Sequence, residues 1–257
     1  MKRLILIPII VLLLLVNAWA IGPAFLSMVG GSNPCPPFYA DTNVLFSWDG
    51  NHTSGINYGC LADGTPVLGT NNNLGISATY GEIGNGALLD TLDEYLTFTD
   101  SGDTIIDDGG LRTIFIRAKM VSQCTVNGVM FEAWYDINNY IRIEGTPTTD
   151  DVRGLYIGQS NAQSAIGTDA FATIGTWKDV GYSWTSPAGD ETPTGDHSGY
   201  KGSFERDTDE LGYAFSNNAT EFSIGEYRTN QGPCAEAIYV DKIVIMSGFE
   251  TPLPTNW

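Results

Sequence analysis

Apolar residues in this chain recur at every second position in short runs, and no window carries the 3.6-residue period of an amphipathic helix. Residues 111–120 show the pattern best. Ile114, Ile116, Ala118 and Met120 share one face, with Phe115, Arg117 and Lys119 on the other, which predicts a half-buried strand. The same alternation predicts strands at 43–48, 95–98, 128–134, 140–144 and 154–157, with a short one at 74–79. Ile141 and Ile143 are expected to point inward, Arg142 and Glu144 outward. Along 177–184, Val180, Tyr182 and Trp184 share a face; further strands are expected near 200–204, 211–215 and 221–227. Residues 237–246 form the longest apolar strand, expected at the centre of its sheet, whereas 49–73, rich in Asn, Gly, Thr and Asp, is expected to be mostly loop. Many short strands joined by turns drawn from 30 glycines predict two packed antiparallel sheets.

The chain begins with a basic Met1-Lys2-Arg3, an apolar run over 4–16, and small residues at Ala18 and Ala20, the pattern of a signal peptide cleaved after Ala20. An uncleaved N-terminal anchor is the alternative, because 21–29 stays fairly apolar; Asn17, Gly22, Pro23 and Ser27 weaken that continuation. Residues 21–41 are predicted to be a Gly/Pro-rich linker, and 42–257 one domain. With 30 acids against 12 bases, the formal charge is −18, and removal of Lys2 and Arg3 makes it more negative. Such a surface repels phosphate backbones and anionic lipid, so nucleic acid and membrane surfaces are disfavoured as partners. Divalent cations and neutral sugars are easier partners, and plain solubility in a salty medium explains the charge equally well.

The four cysteines, Cys35, Cys60, Cys124 and Cys234, suit disulfides in an exported chain. Three pairings are possible; Cys35–Cys60 with Cys124–Cys234 is favoured because the first ties the Pro-rich segment to the nearby loop. No CxxC pair exists, and the two histidines, His52 and His197, lie far from metal-ligand spacing, so a structural zinc framework is not expected. There is no G-x-S-x-G, since 158–162 lacks the final glycine, and Gly81–Gly86 reverses the dinucleotide fingerprint with no helix after it. Asn51-His52-Thr53 and Asn218-Ala219-Thr220 are glycosylation sequons.

Three blocks carry a family resemblance. Residues 81–98, GEIGNGALLDTLDEYLTF, combine a glycine turn, an acidic turn and a strand. Residues 176–184, TWKDVGYSW, match a tryptophan strand with Lys178-Asp179 where the family has two histidines. Residues 223–246 match a closing I-G … I-D-E-V-R-I block. In this order the chain, over about 42–250, resembles the laminin-G-like, concanavalin A-like jelly rolls. The L-Y-V-D-G hairpin of that family is missing, and the closing acidic pair is reduced to Asp241-Lys242. The resemblance implies an all-β two-sheet jelly-roll sandwich and no single function. It also implies a structural calcium ion held by an acid after the first strand and the acid of the closing block, here Asp49 and Asp241.

Two constellations bear on function. Glu205, Asp207 and Glu210 have an E-x-D-x-x-E spacing similar to that of laminarinase-type glycoside hydrolases, whose paired carboxylates lie about 5–5.5 Å apart. Those enzymes place apolar residues between the acids, whereas Arg206 and Thr208 stand here, so a solvated acidic hairpin or turn is the better reading. No catalytic residue is assigned. Sugar rings stack on exposed aromatic faces, and Trp134 and Tyr135, with Tyr140 across the 136–139 turn, are the best candidates for such a platform. The chain is therefore expected to be an exported binding module for glycan or a cell-surface ligand. A structural or assembly component of a cell surface or extracellular particle is the alternative, and a glycan-cleaving enzyme the third.

Overall fold

The computed structural model describes residues 35, 41–91, 93–102, 104–106, 111–122, 128–136, 139–146, 152–158, 161–167, 174–185, 195–201, 203–211, 219–225, 238–248, 251–254 and 256–257. Residues 1–34, Cys124, Cys234, and strand predictions beyond 211 and 225 fall outside these. Cys35–Trp257 is one compact unit. The described residues hold seventeen strands, in chain order: β1 Val44–Trp48, β2 Tyr58–Leu61, β3 Pro66–Leu68, β4 Thr70–Asn72, β5 Gly75–Ser77 and β6 Gly86–Leu89. Then come β7 Tyr95–Thr99, β8 Leu111–Met120, β9 Gly128–Asp136, β10 Asn139–Gly145, β11 Val152–Gly158 and β12 Asn161–Gly167. β13 Lys178–Thr185, β14 Gly195–Lys201, β15 Ser203–Leu211, β16 Glu221–Gly225 and β17 Ile238–Ser247 complete them.

The strands form the two-sheet antiparallel sandwich that the alternation predicts. A ten-stranded sheet runs β15-β14-β13-β8-β17-β1-β2-β3, with β6 also on β17 and β5 on β6; a seven-stranded sheet runs β12-β11-β10-β9-β16-β7-β4. The long apolar β17 is central, between β8 on one side and β1 and β6 on the other. The interior takes the faces read from sequence. Ile114, Ile116, Ala118 and Met120 from β8 and Val180, Tyr182 and Trp184 from β13 meet Ile141 and Ile143 from β10. Phe222 of β16 sits in an aromatic nest, with ring centroids 4.9 Å from Phe46, 5.6 Å from Phe98 and 6.1 Å from Phe131. Gly154 has to be glycine for a packing reason: a Cβ there would run into the Tyr182 ring of the opposing sheet.

Three expectations are corrected, and one further strand is found. Residues 49–73 carry β2, β3 and β4, because short strands at or next to a sheet edge, with β3 and β4 outermost, tolerate turn residues whose side chains supply missing bonds. Asn71, for example, donates to the Leu74 carbonyl at 3.2 Å and accepts from its N–H at 2.9 Å. The polar 161–167 forms β12, the outermost strand of the seven-stranded sheet. The acidic 205–210 lies along β15, one arm of a hairpin with β14, so the hairpin reading holds and the turn reading does not. Phe115 is fully buried rather than on an open face, because Leu253 and Trp257 of the C-terminal segment cover it together with Val44, Val244 and Met246.

Candidate ligand-binding site

The expected residues Trp134 and Tyr140 do meet. Asp136 pairs with Asn139 and Trp134 with Tyr140, so Tyr135 is the extra residue of a bulge at the β9–β10 turn. The Trp134 and Tyr140 rings stack, 5.7 Å between centroids and 13° from parallel. Ala133 and Ile141 beside them point into the core, which by strand alternation turns this pair to the outer face of the seven-stranded sheet.

The registers extend the pair into a row. Trp134 faces Tyr140 on β10 and Glu221 on β16, and Glu221 in turn faces Thr99 on β7. Thr99, Glu221, Trp134 and Tyr140 thus lie side by side across four strands, Thr99 exposed and the other three half-buried. The neighbouring row on the same face is polar and closed to solvent: Thr97, Ser223, Glu132 and Arg142 are cross-strand neighbours, and all four are buried.

A buried ion triad underlies the aromatic end. Glu144 is 0% exposed and Arg142 3%. Arg142 Nε stands 2.8 Å from Glu144 Oε2, while Arg153 of β11 donates through Nε to Oε1 at 2.6 Å, with its Nη2 on the same oxygen. The Arg142 guanidinium also stands 5.6 Å from the Tyr140 ring centroid, within cation–π reach. Burial pushes the Tyr140 phenol up, against the opposing pull of Arg142, so it stays a neutral donor. Sequence alternation already put Arg142 and Glu144 on this face; it carried no sign that they would be buried and paired there.

The two expected calcium ligands lie elsewhere, around the turn that precedes β6. Asp241 is the bulged residue of β17, since Val240 pairs with Ala118 and Lys242 with Arg117. Only 2% exposed, it accepts from the Glu82 N–H at 2.8 Å and the Ile83 N–H at 3.2 Å. Those two amides provide the compensation that a buried carboxylate requires. Asp49 accepts from the Asn51 N–H at 2.9 Å, and Asn51 bridges to the same turn by accepting from Asn85 N–H and donating to the Ile83 carbonyl. The Asn51 sequon side chain is thereby used by the fold. Burial pushes both carboxyls up, Asp49 and Asp241 alike, against their backbone hydrogen bonds and the nearby Lys242.

Cys35 and Cys60 form the expected disulfide, which fits an oxidising compartment. They gather with His52 into the one His/Cys/Asp/Glu group with metal-like spacing among the described residues, but both sulfurs are taken by their bond to each other. The second expected pair, Cys124 and Cys234, lies outside the described residues. Glu205 and Asp207 lie on β15, at the edge of the ten-stranded sheet, opposite Gly199 and His197 of β14; the aromatic row is on the other sheet. No helix among the described residues is long and apolar enough to cross a membrane.

An antiparallel β-sandwich is the class this geometry defines. Neither a protein-family model nor a curated protein sequence matches the chain. Among solved structures it is similar to the binding domain of botulinum neurotoxin serotype G, with a TM-score of 0.58 and 8% identity over 81% of this chain and 48% of that one. It is also similar to the binding domain of Paraclostridial Mosquitocidal Protein 1, with a TM-score of 0.58 and 10% identity over 81% of this chain and 50% of that one. Domain 4 of the extracellular arabinanase AbnA from Geobacillus stearothermophilus, solved with arabinotriose, has a TM-score of 0.53 and 17% identity over 82% of this chain and 96% of that one. The chain thus spans about half of the first two structures and nearly all of the arabinanase domain. These likenesses establish the fold.

Proposed function

We propose that the protein is an exported binding module of the laminin-G-like jelly-roll kind that recognises carbohydrate on the outer face of its seven-stranded sheet. The stacked Trp134–Tyr140 pair, at the accessible edge of a polar row, carries this reading. A flat aromatic surface takes the C–H face of a sugar ring, and the neighbouring Thr99 and Glu221 offer hydroxyl and carboxylate oxygens to its hydroxyl groups. Support comes from the company the fold keeps: two of the similar structures are binding domains and one holds arabinotriose. In this reading the module binds without cleaving bonds, and the laminarinase-like acids of β15 lie on the other sheet from the aromatic row. Tyr135, the extra residue of the bulge between the paired positions 134 and 140, completes the proposed ligand set.

Titration of the protein against a panel of immobilised glycans tests the reading. Trp134→Ala is expected to weaken any specific binding by about 30-fold, the effect of losing an aromatic anchor worth about 2 kcal/mol. Binding that survives this change undiminished would place the ligand elsewhere. A panel that yields no ligand would favour the structural or assembly role.

A calcium ion shared by Asp49 and Asp241 is part of the same proposal, supported by the placement of both acids around one turn. Calcium wants six to eight oxygens, so carbonyls of the 49–51 and 81–86 segments would make up the number, and the two amides on Asp241 compete with it. Calcium at 100 times its dissociation constant is expected to stabilise the protein by about 2.7 kcal/mol. Asp241→Asn should abolish most of that gain while still accepting the two amide hydrogen bonds. A melting curve indifferent to chelator would remove the ion from the account.

A further inference from the structure

The outer face of the ten-stranded sheet carries an aromatic row of its own, built round a lysine. Tyr239 of β17 pairs directly with Lys119 of β8. On the other side Lys178 pairs with Ala118, so Trp177, one residue earlier, stands across from Lys119. Ala118, Met120, Ile238 and Val240 point into the core, which turns Lys119 and Tyr239 outward. The Lys119 ammonium lies 4.7 Å from the Trp177 ring centroid and 4.9 Å from that of Tyr239. Tyr80 extends the row, its ring centroid 5.2 Å from that of Tyr239. Lys119 and all three rings are half-buried. At one end the Gly175 N–H donates to the Met120 carbonyl; beside that bond Val121 is 40% exposed and Ile174 42%.

The neighbouring row on this face carries a paired charge. Arg117 donates through Nε to Glu82 at 2.7 Å and through Nη1 to Asp179 at 2.8 Å. Lys119 differs: among the described residues no carboxylate or other acceptor reaches it, and it rests only on ring faces. The same sheet face already receives a segment of chain. Leu253 and Trp257 pack on Val44, Phe115, Val244 and Met246, and the Trp257 indole N–H donates to Asp179 at 2.6 Å. That segment reaches the row of Asp179 and Arg117, next to the row of Lys119.

We propose that the Trp177–Lys119–Tyr239 row is a second binding surface, for a polypeptide segment of a partner protein that sets an acidic side chain on Lys119. An interface that closes over Lys119 strips water from its ammonium, a strong donor that aromatic faces alone do not satisfy. The partner must therefore bring an acceptor, and a carboxylate is the acceptor that also balances the charge. This requirement is local to one ammonium and owes nothing to the net charge of the face. The residues beside that carboxylate must be apolar, to cover the rings and the exposed Val121 and Ile174. Aromatic side chains at the centre with paired charges at the rim are the anatomy of a protein interface. A polypeptide is favoured over a sugar because the ammonium already occupies the ring faces on which a sugar would stack. The C-terminal segment on the adjacent rows shows that this sheet face accommodates such a chain.

The test uses the whole protein and an array of short synthetic peptides, each with a glutamate among apolar residues, beside copies with glutamine or lysine in its place. Wild type should bind glutamate peptides, and the Trp177 indole resonance should move while that of Trp134 stays. Lys119→Glu should lose at least about tenfold toward these peptides and gain toward the lysine copies. Lys119→Met, which keeps an apolar stem, should lose the preference for glutamate over glutamine. Trp134→Ala should change nothing, which separates this surface from the proposed glycan site. Peptides bound equally well with glutamate and glutamine, or binding indifferent to Lys119→Glu, would overturn the acidic partner. Self-association of the protein in sedimentation, abolished by Lys119→Glu, would overturn a foreign partner in favour of a second copy. An array without a binder, for a protein that stays monomeric, would overturn the surface itself.

Discussion

Replacing Glu144 by alanine is expected to cost about 3–5 kcal/mol of folding stability, the penalty for breaking a buried ion pair and stranding its partner. For a domain of this size that lowers the melting temperature by roughly 10 °C. The reason is the geometry of the triad. Arg142 is almost completely buried, and its charge is balanced in place by Glu144, which itself has no solvent contact. Removing the carboxylate takes away the group on which two guanidiniums converge and leaves Arg142, itself buried, without that ion pair. Arg153 is about a quarter exposed, so Arg153→Ala should cost considerably less. Glu144→Gln, which keeps the shape and one acceptor, should fall between. Chemical denaturation of the three variants orders them. A Glu144→Ala protein within about 0.5 kcal/mol of wild type, the range of ordinary surface changes, would mean that the triad is solvated in solution.

Phe222→Ala is expected to lose a similar amount, about 3–5 kcal/mol, from the other face of the same sheet. Phe222 joins the two sheets through Phe46 of β1, beside Phe98 of the neighbouring β7, and the Phe46 and Phe98 ring centroids are themselves 4.8 Å apart. Truncation leaves a cavity walled by three other aromatic rings that cannot collapse without off-rotamer side chains. Folding stability should fall while ligand preference stays as it was, because Phe222 points away from the aromatic row. Differential scanning calorimetry and the glycan panel read the two effects separately. A small loss would show that the neighbouring rings close the gap.

The alternation of β8, β10 and β13 is strong in the sequence because each strand is covered on its inner face by the opposing sheet. Their inward residues could be named before any coordinates were known. The bulges could not. Asp241 interrupts β17 so that Val240 and Ile243, rather than every second residue, face the core. The consecutive apolar residues 243–246 hint at this, yet their second face is apolar only because Leu253 and Trp257 pack on it. Strands β2 to β4 and β12 were hidden for the converse reason. At sheet edges, Asn, Ser and Gln serve as well as β-branched residues, and composition no longer marks the strand. The Trp134–Tyr140 pair was legible from the short turn between them. The row that extends it was not, because Glu221 and Thr99 reach Trp134 through pairings distant in sequence.

The central claim is that ligand meets the protein at Trp134. The chain has six tryptophans, and they sample distinct places. Trp48 and Trp184 are in the core, Trp177 lies beside Lys119, and Trp257 packs over Phe115 on the outer side of the ten-stranded sheet. With the indole nitrogens isotopically labelled, addition of a glycan that binds should shift the Trp134 N–H resonance most, with Trp177 and Trp257 unmoved. A shift confined to Trp177 or Trp257, with Trp134 silent, would put the ligand on the opposite sheet and contradict the account.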